Sequence, residues 1–539
     1  MIKKLLALLF LITVSSLYAQ EDAWVYFTDK PDTNYYLANP LEMLTQKALD
    51  RRENQNIALD ETDVPISEAY ILAVSEAQGI TVMAKSKWLN ALHIRGTEDA
   101  INNLTTLDFV DHVDFANKNL NTSGRPQQII EQQEFNELQD IQADFDYGDS
   151  GNQIMMLNGH LLHHDGYTGA GITIAVLDSG FPGVNTAQPF QRLLNNNLIL
   201  GGYDFVSRSE DFYTANNHGT LVLSTMGGYT EGELTGTAPD AFYYLFRTED
   251  ATSENPVEES YWVEAAEAAD SLGVDVINTS LGYFQYDNPD YSYTFEDING
   301  QTAFISRGAD MAFAKGMICV TSAGNSGNFA HPNIGVPADA LTTLTVGAVT
   351  PEGQYATFSS IGPTADMRIK PDVVAQGQNA VMANEDGEII LAGGTSFSSP
   401  ITAGLVACLW QALPDKTNAE IIAIVRQSAD RYNNPDGQYG YGIPDFALAL
   451  QDGLQVASFK KDKIIIYPNP ANSVIKIYNT IQSDKTATIT LYNSLGQLVL
   501  EEIISSNKQT VTVDNLSNGM YNYTITSGEY LYTGKLIKQ

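Results

Sequence analysis

The chain has 539 residues, of which 43% are hydrophobic: too long for one ordinary domain, with apolar content enough for the cores of two or three. Against 29 basic residues stand 65 acidic ones, a formal charge of -36 that repels phosphate backbones and anionic lipid and excludes nucleic acid as a partner. The two cysteines, Cys319 and Cys408, sit in apolar runs and read as buried thiols rather than a disulfide framework, with one bridge between them left open.

The chain opens on MIKKLLALLFLITVSSLYAQ, with Lys3 and Lys4 ahead of an apolar run from Leu5 to Val14 and small residues up to Ala19. This pattern predicts a secretory signal over residues 1–19, too short to remain as a membrane span. No other stretch approaches the length of a membrane helix, so no transmembrane segment is expected in the mature protein. Over residues 20–120 come strand-like AWVYFTD, helical ISEAYILAVSEAQG, strand-like ITVMAKSKWLNALHIRG, helical TEDAINNLTTL and strand-like FVDHVDF, a small α+β unit. Residues 121–150 are polar and Gln/Asp-rich and read as a linker.

The pattern changes over residues 151–455. Continuous apolar runs ITIAVL, VDVIN, MICVTSA and TTLTVGAV alternate with helix-like segments, as an α/β domain requires when a mainly parallel sheet is covered by helices on both faces. Residues 456–463, with the charged KKDK, read as a second linker. Residues 464–539 carry short alternating runs such as SVIKIYN and TATITLYN broken by turn residues, which predicts a β-sandwich.

Within the α/β region, GGTSFSSP at Gly393–Pro400 precedes the apolar run ITAGLVACLWQAL. The glycines allow a tight turn, and Pro400 is tolerable only near the first turn of the helix that follows. Ser396 therefore stands at the start of a buried helix, where main-chain N–H groups and the positive dipole end would stabilise an oxyanion. Helix capping is the plainer role for a serine there. In GITIAVLDSG, Asp178 directly follows a buried strand, where open parallel sheets present functional side chains. His218, in NNHGTLVLSTMGG, is the residue type that carries protons near neutral pH. A third strand, MICVTSA, ends at Gly324 and Asn325, an amide donor.

Taken singly these features are ordinary. Together, DSG with Asp178, HGT with His218 and GTSFSSP with Ser396 resemble the signature blocks of the subtilisin-like serine peptidases, the subtilases, in the family's order. The likeness extends through VINTSLG, TSAGNSG and IKPDVVAQG and covers most of residues 160 to 450. It implies Ser396 as nucleophile, His218 as general base and then acid, Asp178 as the group orienting the imidazole, and the Asn325 amide with the Ser396 N–H as oxyanion hole. It further implies that substrate pairs as an added strand with Ser280, Leu281 and Gly282, and that the first specificity pocket is framed by these and by Ser322, Ala323 and Gly324. Ser398 and Ser399 are assigned to packing or capping, and the insertion from Tyr283 to Thr302 is expected to edge the cleft.

Residues 20–120 resemble subtilase propeptides, which implies a zymogen inhibited by its own propeptide. The YPNP at Tyr467–Pro470, ITLYNSLGQLV and LSNGMYNYTI resemble the type IX (Por) secretion C-terminal sorting domain of Bacteroidota. That implies export through the type IX machinery to the medium or the outer cell surface. The chemistry implied needs no cofactor, and structural calcium fits the family although no EF-hand-like ligand order marks a site, so metal ligands stay unassigned. His160 and His164 share a helix face in GHLLHHDG, but no acidic or cysteine partner has metal-ligand spacing, and an ordinary amphipathic helix is expected. No HExxH pattern supports a zinc peptidase. A glutamate-based acid peptidase is disfavoured by His218 in the HGT block. A catalytically silent adhesin of the same fold would need a broken triad, whereas all its members are present.

Overall fold

The computed structural model describes residues 20–121, 145–460, 465–467, 471, 473–478, 486–493, 497–505, 510–527 and 530–539. The signal stretch 1–19 and most of the 121–150 linker lie outside them. The chain divides into two compact units, residues 1–451 and 452–539.

The first unit begins with a four-stranded antiparallel sheet. Its strands are β1 (Gln20–Phe27), β2 (Ile80–Ser86), β3 (Ala91–Thr97) and β4 (Val110–Phe115), in the order β2-β3-β1-β4. The ITVMAKSKWLNALHIRG run, expected as one strand, is a hairpin: Asn90 takes a positive φ of 49°, which turns the chain between β2 and β3. Helices α1 (Gln46–Asn54), α2 (Glu68–Ser75) and α3 (Glu98–Asn103) belong to this part, as does the short helix Thr33–Ala38. α1 was not legible as an element, because QKALDRREN lacks an apolar stripe; two of its buried residues are Arg51 and Arg52. Strand alternation decides what each face meets. Ala23, Val25 and Phe27 pack on the unit's own small core, whereas Trp24 and Tyr26 point into a cluster shared with the larger domain.

That domain is built on seven parallel strands: β5 (Thr173–Asp178), β6 (Ile199–Asp204), β7 (Phe242–Arg247), β8 (Val276–Thr279), β9 (Ile318–Ser322), β10 (Leu344–Val349) and β11 (Val373–Gln376). They lie in the order β11-β10-β9-β8-β5-β7-β6. Every residue of β5, β8, β9, β10 and β11 is buried, which is why these strands read as unbroken apolar runs. Ile174 and Val176 face a core filled by α4 (His218–Gly227), α7 (Thr395–Ala412) and α8 (Asn418–Ser428), while Ala175 and Leu177 face α5 (Val257–Leu272) and α6 (Phe304–Ala314).

The helix from Phe446 to Lys460 runs through the first residues expected to form the second linker, so 456–460 are helical. The second unit holds two antiparallel sheets. One joins Ile465–Tyr467, Val474–Tyr478 and Thr510–Thr512, and the other joins Leu498–Ser505, Thr486–Tyr492, Gly519–Ser527 and Tyr530–Lys538. They share a core that includes Ile475, Ile489, Val511 and Ile525, as a sandwich does.

Candidate active site

Period two along β5 puts Asp178 on the same face as Ile174 and Val176, the face covered by α4 and α7. Two glycines let the loops close around this fully buried carboxylate. Gly180 has φ 143°, and a Cβ there would lie 2.3 Å from the Thr214 carbonyl. A Cβ on Gly219, the residue after His218, would lie 2.9 Å from the Cβ of Asp178, so the first turn of α4 abuts the acid only because position 219 has no side chain.

The result is a 2.7 Å contact between His218 Nδ1 and Asp178 Oδ1. A carboxylate can only accept, which makes Nδ1 the protonated nitrogen and leaves Nε2 free to take a proton. The same Oδ1 accepts from the Ser179 N–H at 2.8 Å and the Ser179 hydroxyl at 3.2 Å. Burial pulls the His218 pKa down, but the charge and hydrogen bond of Asp178, with a further contribution from Glu249, outweigh it, and the net direction is upward.

Ser396 is the second residue of α7, so its N–H is among those with no partner inside the helix. Pro400 sits beyond the first turn, further into the helix than its ring chemistry suggests, and the site explains the tolerance. A proline at 400 offers no N–H to the carbonyl of Ser396, and that carbonyl instead accepts from the Ser280 hydroxyl at 2.8 Å. The Ser396 hydroxyl donates in return to the Ser280 carbonyl at 3.3 Å. In this state the acid–imidazole link is formed while the alcohol is turned onto Ser280; rotation about its Cα–Cβ bond frees it, and catalytic hydrogen bonds often tighten only with substrate present. Ser398 donates to the Thr395 carbonyl and Ser399 to Asn278 Oδ1, each at 3.0 Å, which occupies both hydroxyls structurally.

Asn325 Oδ1 accepts from the N–H of Thr395 at 2.9 Å and its hydroxyl at 3.0 Å, which reserves the amide NH2 for the cleft. His218, Ser396 and Asn325 line one cleft together with Ser280, Leu281, Gly282, Ser322, Ala323 and Gly324, so the candidate residues other than Asp178 border a single cavity and Asp178 stands behind His218. Of the 283–302 insertion, Tyr283 and Phe284 border this cleft. Further along, it turns away toward the N-terminal sheet: Tyr291 donates to Glu21 at 3.0 Å and Asp297 pairs with Lys118 at 2.7 Å. Glu249 and Glu254 also line the cleft and were not legible, since nothing in RTEDATSENP marks an acid as cleft-facing. Cys319 and Cys408 are both free and buried, which closes the question of a bridge and raises both thiol pKa values. His160 and His164 lie on the short helix Gly159–His164.

Comparison with known proteins places these elements. The profile of the Subtilase family matches residues 169–442, that of the Bacteroidota peptidase S8 propeptide domain residues 22–134, and that of the secretion system C-terminal sorting domain residues 465–539. A subtilisin of Bacillus pumilus is 30% identical over 301 residues, spanning 55% of this chain and 98% of its own. Subtilisin E of Bacillus subtilis (strain 168) is 30% identical over 301 residues, 55% of this chain and 70% of that one. Among solved structures, the MycP3 protease from the type VII (ESX-3) secretion system aligns with a TM-score of 0.44 at 21% identity, over 57% of this chain and 91% of that one.

Proposed function

This chain belongs to the subtilase family and is a serine peptidase, and from that premise we propose that it is a secreted endopeptidase, made as a zymogen, whose hydrolysis is carried by Ser396, His218 and Asp178. The observation that carries this reading is the 2.7 Å acid–imidazole contact in a cleft that also holds Ser396 and Asn325. Ser396 Oγ attacks the carbonyl of a polypeptide substrate as its proton passes to His218 Nε2. Asp178 holds the ring and stabilises its charged form. The oxyanion is met by the Asn325 amide and the Ser396 N–H at the start of α7. Collapse to the acyl-enzyme delivers the His218 proton to the leaving amine, and water reverses the sequence with His218 again as base.

The substrate backbone pairs with Ser280, Leu281 and Gly282, so main-chain bonds supply much of the affinity. The chemistry calls for no cofactor. The propeptide is the enzyme's own inhibitor, and the sorting domain directs type IX export to the medium or the cell surface. The test is casein hydrolysis by the processed protein: Ser396→Ala should lower turnover by roughly 10⁴-fold or more. Equal rates for the variant and the wild type would remove Ser396 from the role of nucleophile.

A further inference from the structure

Two acids that line the cleft, Glu249 and Glu254, stand in a group of carboxyls with Glu258 and Asp287, which do not border it. Oxygens of Glu249, Glu254 and Glu258 all lie within 4.8 Å of one another, and the Glu254 N–H donates to Asp287 Oδ2 at 3.2 Å. The bonds these groups receive come from neutral donors. Tyr283 donates to Glu249 at 2.7 Å, and the N–H groups of Asp250 and Asn255 donate to the two oxygens of Glu258, each at 2.9 Å. Among the described residues none of the four acids is in an ion pair; Arg247, two positions before Glu249, is committed to Asp204 at 2.9 Å. Burial, and for Glu249 next the charge of Glu254, push the carboxyls of Glu249 and Glu258 upward, outweighing the Tyr283 hydroxyl and the charge of His218 at Glu249 and the main-chain N–H groups at Glu258.

Glu249 and Glu254 line the cleft that holds His218 and Ser396, and a polypeptide must lie there for the reaction to occur. Tyr283, which holds Glu249, directly follows Gly282 of the strand-pairing segment, so the acid stands one side chain away from where substrate backbone runs. We propose that Glu249 and Glu254 are specificity-determining residues that seat an arginine or lysine side chain of the substrate on the acyl side of the scissile bond, at P2, P3 or P4. On that reading P1 is framed by other groups, among them Ser322, Ala323 and Gly324, which line the same cleft. A guanidinium or ammonium supplies a permanent counter-charge and can be met by the two acids that border the cleft. A bound metal ion fits less well, because both oxygens of Glu258 are held by main-chain N–H groups and Glu258 does not border the cleft.

The inference rests on the peptidase reading above, and one experiment separates the two. The processed, secreted protein is given peptides with arginine or its neutral isostere citrulline at P2, P3 or P4. Arginine should raise kcat/KM by about tenfold or more at one of these positions. Glu249→Gln and the exposed Glu254→Gln should each shrink that ratio, and Glu254→Lys should turn the preference toward glutamate. Hydrolysis with a ratio near one at all three positions, or a basic preference at P1 alone, overturns this inference and leaves the peptidase reading standing; no hydrolysis at all sinks both. Loss of activity to a chelator, restored by calcium in the wild type but not in Glu249→Gln, would assign the acids to a metal and overturn the inference as well.

Discussion

His218, the proposed general base, illustrates how one residue is tuned by what folds against it. His218 works only when neutral, and its pKa is raised because Asp178 favours the charged ring more than burial opposes it. A raised pKa means that a more alkaline solution is needed to empty the ring of its proton. The acid limb of kcat/KM should therefore have its midpoint above the ordinary histidine value of about 6.5, with activity lost as pH falls through it. Asp178→Asn should move that midpoint to lower pH while cutting the rate. A pH–rate profile with a midpoint at or below 6.5 in the wild type would show that desolvation prevails instead. Ser280 is tuned into the site by a less visible route, since its hydroxyl takes the carbonyl that Pro400 cannot serve.

At the scale of elements, the N-terminal sheet is held to the peptidase domain by more than its apolar face. Asp270 on α5 receives Arg51 and Arg52 of α1, Arg52 also pairs with Asp63 at 2.7 Å, and Lys315 pairs with Asp60 and Asp63 at 3.1 Å each. Glu267, also on α5, accepts from the Ser86 hydroxyl at 2.6 Å and from the N–H groups of Lys87 and Trp88 at 2.9 Å each. Burial raises the Asp270 pKa, but the two arginines outweigh it and the net shift is downward. Its contribution is therefore fully present above the ordinary carboxylate range and lost as pH falls through the depressed value. Asp270→Asn leaves the buried Arg51 without a carboxylate partner and Arg52 with Asp63 alone, at a cost of about 3–5 kcal/mol. In the unprocessed protein this should appear as much faster amide hydrogen exchange across α1; unchanged protection would mean that the apolar face of the sheet alone holds the unit in place. The 283–302 insertion belongs to the same interface. Its aromatic and acidic composition was legible as an insertion beside the cleft, but its bridge to Glu21 and Lys118 depends on where the N-terminal sheet docks.

For the molecule as a whole, the parts run in chain order as a propeptide domain, a subtilase domain and a C-terminal sorting domain. A slow-folding parallel sheet of high contact order gains from a template, and a protease gains from inhibition before export. Because the sorting domain is a separate compact unit with its own core, removing residues 465–539 should leave the peptidase folded but strand it in the periplasm of a type IX-competent host. Fractionation of cells expressing the truncated chain tests this, and its appearance in the medium at wild-type levels would count against a sorting role for the tail.

The sequence by itself determined what depends on local chemistry and short-range periodicity. Buried strands show as apolar runs, Asp178 shows as the residue ending one of them, and the blocks around His218 and Ser396 keep their order whatever lies between. It also carried the glycines at 180 and 219, though not the reason for them, which is a close approach between segments far apart in the chain. Only the tertiary structure decided the rest. Glu249 became a cleft residue because a tyrosine 34 positions later reaches it, and Arg51 and Arg52 became core residues because Asp270 lies opposite. A charged side chain reads as solvated until its partner is known, and such partners come from distant parts of the chain, where periodicity carries no signal.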